Sequence, residues 1–331
     1  MRLIYVLALI AMVICATPTV FAQDATPAVV SPIPQSGDFA GMVDIGGRSI
    51  YLECRGTGSP TVILIGGYRS SSMYWTTDLL HPEAPRTMVL PGMAKATRVC
   101  AYDRPGTTAS IGDEDFISRS DPIAQPRTAP DVVEELHALL EAAGIPGPYV
   151  LAGHSMGGFF ARLYAATYPD DVAGMVLVDA YSEMLEDVMS PAQWQALVTL
   201  NQALNTDVVV PIPGYGDLET LPFGVDNAVV RAAVAASPLP PMPLAVLAHG
   251  KPFAVSADSL GFTGAELEGY IKKADEAKVA LVPNTRYWIA SESGHDIHQD
   301  QPELVIEAIQ QVLEGVRSPD TWYDLNSCCK D

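Results

Sequence analysis

Short apolar runs that end in Gly or polar residues recur along the chain, and segments with helical spacing separate them. Such runs predict buried strands, whereas apolar residues three or four positions apart predict amphipathic helices. Residues 132–140 show the helical pattern after a capping sequence that begins at Thr128. The predicted strands are 61–65, 97–102, 149–153, 175–178, 244–248 and 286–290, and the predicted helices are 128–144, 156–168, 266–279 and 302–316.

This alternation predicts an α/β fold whose mostly parallel sheet carries helices on both faces. A Gly46-Gly47 turn predicts an antiparallel hairpin of 41–45 and 49–54 before it. The alternation stops between 182 and 242, where Pro residues and short apolar stretches predominate, so we expect an inserted cap there. The expected organisation is a core of 41–181 and 243–317, a cap of 182–242 and a C-terminal tail of 318–331.

The N-terminal segment has the pattern of an export signal. Arg2 precedes an apolar run, 3–16, that is short for a membrane span, and a signal-type cleavage site follows Ala22. A lipoprotein signal at Cys15 is disfavoured because Ile14 stands where a small residue is preferred. We expect removal of 1–22, a flexible linker at 23–40, no transmembrane segment, and a secreted or periplasmic protein.

The 331-residue chain has a formal net charge of −20. Nucleic-acid binding needs basic side chains that neutralise phosphates, and anionic lipid surfaces attract basic segments. The charge therefore argues against both partners.

Gly153-His154-Ser155-Met156-Gly157 matches the G-x-S-x-G motif, in which a Ser lies on a sharp turn between a strand and a helix. Gly at 153 and 157 avoids collisions across such a turn, and the helix N-terminus favours negative charge near the hydroxyl. A predicted strand precedes the motif and a predicted helix follows it. We therefore predict that Ser155 is a nucleophile.

A Ser hydroxyl needs a base to remove its proton. His295 follows the last predicted strand, at the sheet edge where functional loops lie, and is the predicted base. His249 is the alternative base, or else a polar wall of the pocket. For the acid that orients the imidazole, Asp179 directly follows strand 175–178 and is preferred, while Asp258 stays as the alternative.

Two backbone amides are expected to stabilise a developing oxyanion. Met156 follows the nucleophile, and Tyr68 follows a Gly-Gly pair at the end of a predicted strand. The candidates for contact with the substrate are Gly67, His154 and Trp194.

His295 and His298 are also candidate metal ligands. Their spacing differs from the H-E-x-x-H spacing that places two ligands on one helix face, and no third ligand motif accompanies them. We therefore predict no metal site, and the proposed chemistry requires no cofactor.

Export would allow disulfides to form. Loss of the signal leaves Cys54, Cys100, Cys328 and Cys329. The first two lie in predicted strands and form either a disulfide, which we prefer, or two buried free thiols. The last two are neighbours in a polar tail, and the sequence assigns them no role.

The chain from about 41 to 316 resembles the α/β-hydrolase fold superfamily. The resemblance implies an eight-stranded, mostly parallel sheet with a lid after the sixth strand, and it makes the strands of Cys54 and Cys100 neighbours. The acid usually follows the seventh strand in this superfamily, which keeps Asp258 in contention, and the usual His-Gly pair is Gly66-Gly67 here. The matching segments are VILIGGYRSSSMYW (62–75), VCAYDRPG (99–106), VLAGHSMGG (150–158), MVLVDA (175–180) and SGHDIHQDQPE (293–303).

The turn that carries Ser155 is called the Ser elbow below. With Ser at this turn the chain is similar to esterases and lipases, whereas epoxide hydrolases and haloalkane dehalogenases carry Asp there. The expected function is hydrolysis of an apolar carboxylic ester through an acyl-enzyme. Amide hydrolysis, acyl transfer, C–C hydrolysis and an inactive secreted binding protein remain alternatives. The apolar cap residues that suggest the substrate are Trp194, Leu197, Val198, Leu200, Val208, Val209, Ile212 and Phe223.

Overall fold

The structure, a computed structural model, describes residues 33–34, 36–207, 218–253 and 262–323, with the side chains of 204–207 excepted. All of them belong to the unit 31–331 of the chain. The expected signal peptide, most of the expected linker and several residues named above lie outside this part. Those residues are Asp258, Cys328, Cys329, Val208, Val209 and Ile212.

An eight-stranded sheet forms the centre of the molecule. Its order is β1-β2-β4-β3-β7-β8-β9-β10, in which β2 pairs antiparallel with both neighbours and every other pair is parallel. This confirms the predicted α/β fold with a mostly parallel sheet. The strands of the chain are β1 (Phe39–Asp44), β2 (Ser49–Arg55), β3 (Val62–Ile65), β4 (Val99–Tyr102), β5 (Thr108–Ile111), β6 (Glu114–Ile117), β7 (Tyr149–His154), β8 (Val172–Val178), β9 (Leu244–His249) and β10 (Arg286–Ala290).

Helices cover both faces of the sheet because alternate strand residues point to opposite sides. In β3, Ile63 and Ile65 join the apolar cluster that includes α3, α4 and α7, whereas Val62 and Leu64 join the one that includes α2 and α10. The helices are α1 (Met73–Thr76), α2 (Val89–Met93), α3 (Ala129–Ala142), α4 (Met156–Thr167), α5 (Leu185–Val188), α6 (Pro191–Asp207), α7 (Phe223–Ala236), α8 (Gly264–Val279), α9 (Ile297–Asp300), α10 (Pro302–Arg317) and α11 (Pro319–Tyr323).

The helices α5, α6 and α7 lie between β8 and β9, where the sequence predicted the cap. Helix α8 contacts α5, so it packs against this region as well. In the part of the chain that the structure describes, no helix combines the length and the apolar character that a membrane span needs.

The two-stranded hairpin β5–β6 was not predicted. Its second strand is exposed and largely acidic, so it lacks the alternation of apolar and polar residues that marks a strand. The first strand begins at Thr108, which forms a bridge with Ser70 in the loop after β3.

Cys54 and Cys100 face each other across β2 and β4 and form a disulfide. Both side chains are completely buried. The pairing agrees with the neighbouring strands that the family resemblance implied.

Candidate active site

The sharp turn between β7 and α4 carries Ser155. Its φ of 51° and ψ of −123° form a backbone conformation that residues other than Gly rarely adopt, and its carbonyl accepts a hydrogen bond from the Tyr181 amide over 3.0 Å. A Cβ atom at Gly153 would collide with the Gly157 carbonyl, and one at Gly157 would collide with the Ile65 carbonyl. Close backbone packing thus explains why the motif has Gly on both sides of Ser155.

Asp179 and His295 form a short, partly buried hydrogen bond. Asp179 directly follows β8, and its Oδ2 accepts a hydrogen bond from Nδ1 of His295 over 2.6 Å. Burial alone would raise the pKa of Asp179, but hydrogen bonds from His249 and His295 hold it well below its ordinary value. Asp179 is therefore ionised at neutral pH and leaves Nε2 of His295 as the nitrogen that can accept a proton.

Ser155 and His295 line the same cavity. The Ser155 hydroxyl has no hydrogen-bond partner among the described residues, and the bond to His295 that a nucleophile would need is not formed. Hydrogen bonds of this kind are often long in ligand-free enzymes and shorten when substrate binds.

Asp179 has a second imidazole partner, His249, at the end of β9. Oδ1 of Asp179 accepts hydrogen bonds from Nδ1 of His249 over 2.7 Å and from its backbone amide over 3.2 Å. Nε2 of His249 donates to Oε2 of Glu268 over 2.9 Å. His249 therefore does not line the cavity as a polar wall or face Ser155 as a base; it contacts the acid instead.

A buried ion pair, Arg104 with Glu219, holds the loop after β3 in place. Arg104 donates to the carbonyls of Gly66 over 2.9 Å and Gly67 over 2.6 Å, and its Nε donates to Glu219 over 2.6 Å. Glu219 also accepts a hydrogen bond from the backbone amide of Arg69 over 2.7 Å. The pair fixes both sides of the loop in which the sequence predicted one oxyanion amide.

This loop passes directly beside the nucleophile. A Cβ atom at Gly67 would lie 2.9 Å from Nδ1 of His154 and 3.1 Å from Cβ of Ser155. Tyr68 and Met156, the predicted oxyanion residues, line the cavity together with Ser155. Gly67 and His154, two of the predicted substrate contacts, line it as well.

The cavity has a volume of about 530 Å³ and a mostly apolar wall. Most of its apolar side chains come from the region between β8 and β9 and from α8, and two ionisable side chains of α8, Asp275 and Lys278, also reach it. A wall of this kind suits an apolar ligand with a few oriented polar groups. The larger apolar residues are Met156, Leu185, Leu197, Leu200, Leu221, Phe223, Phe253, Leu267 and Ile271.

Trp194 is not among the residues that line the cavity, and its predicted contact with the substrate stays a prediction. Its ring packs against that of Phe223, with 5.8 Å between the centroids. The apolar surface of Trp194 therefore serves the packing of α6 on α7, and Leu197 and Phe223 face the cavity. Periodicity identified the apolar residues of the cap but not the direction in which each one points.

His154, Asp296 and His298 offer ligand atoms within 4.8 Å of one another. Nε2 of His154 donates to the backbone carbonyl of His295 over 3.0 Å, so it has no lone pair to offer to a metal. The rings of His154 and His298 are tilted by 39° to each other, with 4.1 Å between the centroids. At His154, only the unpartnered Nδ1 could therefore offer a lone pair.

Arg104, Glu219 and Glu268 are functional candidates that the sequence did not identify. Arg104 belongs to the stretch DRPG after β4, which was noted only as part of the family resemblance. Glu219 and Glu268 have no local signal, because their partners lie far away in the chain.

Comparison with known proteins places these features in a protein class. A family model described as the α/β-hydrolase fold matches residues 60–208. An esterase from Thermogutta terrifontis, solved with malate bound, is similar in structure, with a TM-score of 0.51 and 20% identity over 86% of this chain and 100% of that one. Both findings associate the chain with the α/β-hydrolase fold.

Two relatives extend the comparison at the level of sequence. An uncharacterized protein of Schizosaccharomyces pombe is 33% identical over 150 residues, which are 40% of this chain but only 26% of that protein. The uncharacterized protein YqjL of Bacillus subtilis is 25% identical over 274 residues, 81% of this chain and 89% of its own length. Residues 60–208 thus match the α/β-hydrolase fold family, and the described part of the chain is similar in fold to a solved esterase.

Proposed function

We propose that this protein is a serine hydrolase that cleaves carboxylic esters with Ser155, His295 and Asp179. The observation that carries the proposal is the buried, ionised Asp179 bonded to His295 at the cavity that also contains the strained Ser155. An ionised acid on Nδ1 of an imidazole, next to a Ser at a helix N-terminus, is the arrangement that acyl transfer requires.

The reaction would proceed in two steps. Nε2 of His295 takes the proton of Ser155 as Oγ attacks the ester carbonyl, and the amides of Tyr68 and Met156 stabilise the oxyanion. His295 then gives its proton to the departing alcohol, which leaves an acyl group on Ser155. Water, deprotonated by His295, attacks the acyl group, and the carboxylic acid is released as the proton returns to Ser155.

An apolar ester of moderate size is the proposed substrate class. The cavity wall is largely aliphatic and aromatic, and the esterase of Thermogutta terrifontis shares the fold. Amides, thioesters or activated C–C bonds would react at the same residues, so the preference for esters rests on the Ser elbow and the apolar wall.

Export of the protein is part of the proposal. The N-terminal signal pattern supports it, as does the buried Cys54–Cys100 disulfide, because disulfides persist in oxidising compartments.

Labelling with a fluorophosphonate, which reacts only with an activated Ser, tests the proposed function. We expect the wild-type protein to be labelled and to hydrolyse p-nitrophenyl esters, and the variant Ser155→Ala to lose both activities. Ser110→Ala, an exposed Ser on the β5–β6 hairpin, is the matched control and should behave like the wild type. An unlabelled wild-type protein, or labelling that survives in Ser155→Ala, would contradict the proposal and favour a binding protein.

A further inference from the structure

The contacts of His249 determine its charge. Both ring nitrogens lie within hydrogen-bond distance of a carboxylate oxygen, from Asp179 on one side and from Glu268 on the other. Ionised carboxylates only accept hydrogen bonds, so a neutral imidazole would direct one lone pair at a negatively charged oxygen. The imidazolium form donates at both nitrogens and satisfies both contacts.

The electrostatic surroundings agree with this assignment. Burial alone would lower the pKa of His249, but the hydrogen bond and charge of Asp179, followed by those of Glu268, raise it to about 9. The two carboxylates thus retain a proton on a side chain that is only 5% exposed. His249 is a buried cation one carboxylate away from His295.

We propose that His249 is a positively charged positioning residue that shares the Asp179 carboxylate with His295 and, with Glu268, sets the pH range in which His295 acts as a base. The inference rests on the proposed function, in which His295 is that base. The positive charge of His249 repels a second proton on His295 and takes up part of the negative charge of Asp179. Both effects disfavour the protonated form of His295, which cannot act as a base.

Glu268 also connects this charge to the cavity. Its second oxygen, Oε1, accepts a hydrogen bond from the backbone amide of Phe253 over 2.8 Å. The ring of Phe253 lines the cavity and lies 4.9 Å from the ring centroids of both His249 and His295. Helix α8 thus positions the second imidazole, an aromatic wall and the apolar side chain of Leu267 together.

The other ionisable groups around His295 do not account for the proposed influence of His249 and Glu268 on the pH range of His295. Burial lowers the pKa of His154 far below its ordinary value and that of His298 to about 3, so both are neutral when the enzyme would act. Asp296 adjoins His295, and Asp275 of α8 is paired with Lys278 over 2.6 Å. These groups remain in place when His249 or Glu268 is replaced.

The pH dependence of kcat/KM for a p-nitrophenyl ester tests the proposal. His249→Gln retains a donor to Asp179 but removes the charge. The pH at which kcat/KM falls on the acid side of the profile, here called the acid limb, should therefore rise by about one unit. Below that pH, kcat/KM would be about tenfold lower than in the wild type. Glu268→Gln removes a negative charge while Asp179 still holds the proton of His249, so the limb should move to lower pH, by less. The control His81→Gln, an exposed His in the loop after α1 that pairs with Asp78 and not with Asp179, should leave the acid limb in place.

Opposite shifts in the two variants would distinguish charge from structural damage, which lowers kcat without moving the limb in two directions. If the limb of His249→Gln stays at the wild-type pH, or if both variants shift the same way, the proposal is wrong. If His249→Gln fails to fold, the acid limb of Glu268→Gln still tests the proposal, because it is expected to move to lower pH.

NMR of ¹⁵N-histidine in the wild-type protein tests the charge without any activity. Both nitrogens of His249, assigned from the signal lost in His249→Gln, should be protonated from about pH 5 to about pH 8 and titrate near 9. A neutral His249 at pH 7 would overturn this inference and leave the serine hydrolase intact. Absent fluorophosphonate labelling would instead overturn the proposed function and leave the charge of His249 standing.

Discussion

Asp179 is a carboxylate that burial alone would neutralise. Its side chain is only 4% exposed, yet its two oxygens accept hydrogen bonds from Nδ1 of His249 and from Nδ1 of His295. Its backbone has a φ of 40°, and the amide donates to the Leu247 carbonyl over 2.8 Å, so β9 holds the residue in this conformation. The position of the acid at the end of β8 therefore depends on the neighbouring strand.

Replacement of the acid tests its role at the residue scale. Asp179→Asn keeps the volume but cannot hold His295 in the tautomer that accepts a proton at Nε2. We expect kcat for an ester to fall by about 10³- to 10⁴-fold, measured on purified protein. The variant Asp258→Asn, the alternative acid of the sequence, should change kcat little, and the reverse outcome would transfer the role to Asp258.

At the scale of elements, the loop after β3 depends on Arg104 and Glu219. Both side chains are fully buried, and Arg104 also stacks over the ring of Phe160 at 5.2 Å. Buried ion pairs contribute little net stability, but the loss of one partner leaves a costly uncompensated charge. Arg104 also holds the carbonyls of Gly66 and Gly67, which precede the proposed oxyanion residue Tyr68.

Glu219→Gln separates these two effects. We expect the free energy of unfolding in urea to fall by about 3 kcal/mol, and kcat to fall by about tenfold or more because the loop loses its support. Glu135→Gln is a matched control, since Glu135 is buried and paired with Arg127 over 3.0 Å outside the cavity. It should lower stability and leave kcat unchanged; unchanged kcat in Glu219→Gln would limit the pair to stability.

The contact between α7 and the start of α3 should make stability depend on pH. Asp226 of α7 is fully buried, and its Oδ1 accepts a hydrogen bond from the Ala129 amide over 2.9 Å. Burial raises the pKa of Asp226 from 3.8 to about 7, although the bond to Ala129 opposes this. Between these two values the folded state keeps a proton that the unfolded state has lost, so stability falls as pH rises.

Asp226→Asn should remove this decline. After allowance for partial solvation, we expect the variant to gain about 2 kcal/mol over the wild type at pH 8 and almost nothing at pH 4, in urea unfolding at both values. Asp113→Asn, an exposed Asp in the β5–β6 turn, should show no such difference. An equal effect of Asp226→Asn at both pH values would contradict the proposed ionisation.

At the scale of the whole molecule, the disulfide joins the antiparallel hairpin β1–β2 to the parallel part of the sheet. Cys54 of β2 and Cys100 of β4 are separated by 46 positions. The bond keeps this loop closed in the unfolded chain as well and so lowers the entropy of the unfolded state. Its removal should therefore act on the entire sheet and leave the proposed triad, which lies on other strands, in place.

Replacement of both Cys residues tests this effect. The double variant Cys54→Ala/Cys100→Ala should unfold with a free energy lower by about 2 to 4 kcal/mol and retain the wild-type kcat. A fall in kcat in the folded double variant would show that the bond also shapes the site.

Much of the fold could be predicted because strands and helices depend on local patterns. The capping sequence at Thr128 does form a capping box with Asp131 at the start of α3, and β10 occupies the residues expected for it. The exposed β6 was missed because it lacks an apolar face. The packing of Trp194 against Phe223 could not be predicted, because periodicity does not say which neighbour an apolar side chain packs against.

The sequence by itself determined the order of the elements, the Ser elbow and the loops from which Asp179 and His295 come, since each depends on residues close together in the chain. Only the tertiary structure decided that Asp179 contacts His249 as well, that Glu268 completes the charge of His249, and that Arg104 and Glu219 support the loop after β3. These contacts join residues far apart in sequence, so they exist only after the strands have taken their register and α8 has packed beside them.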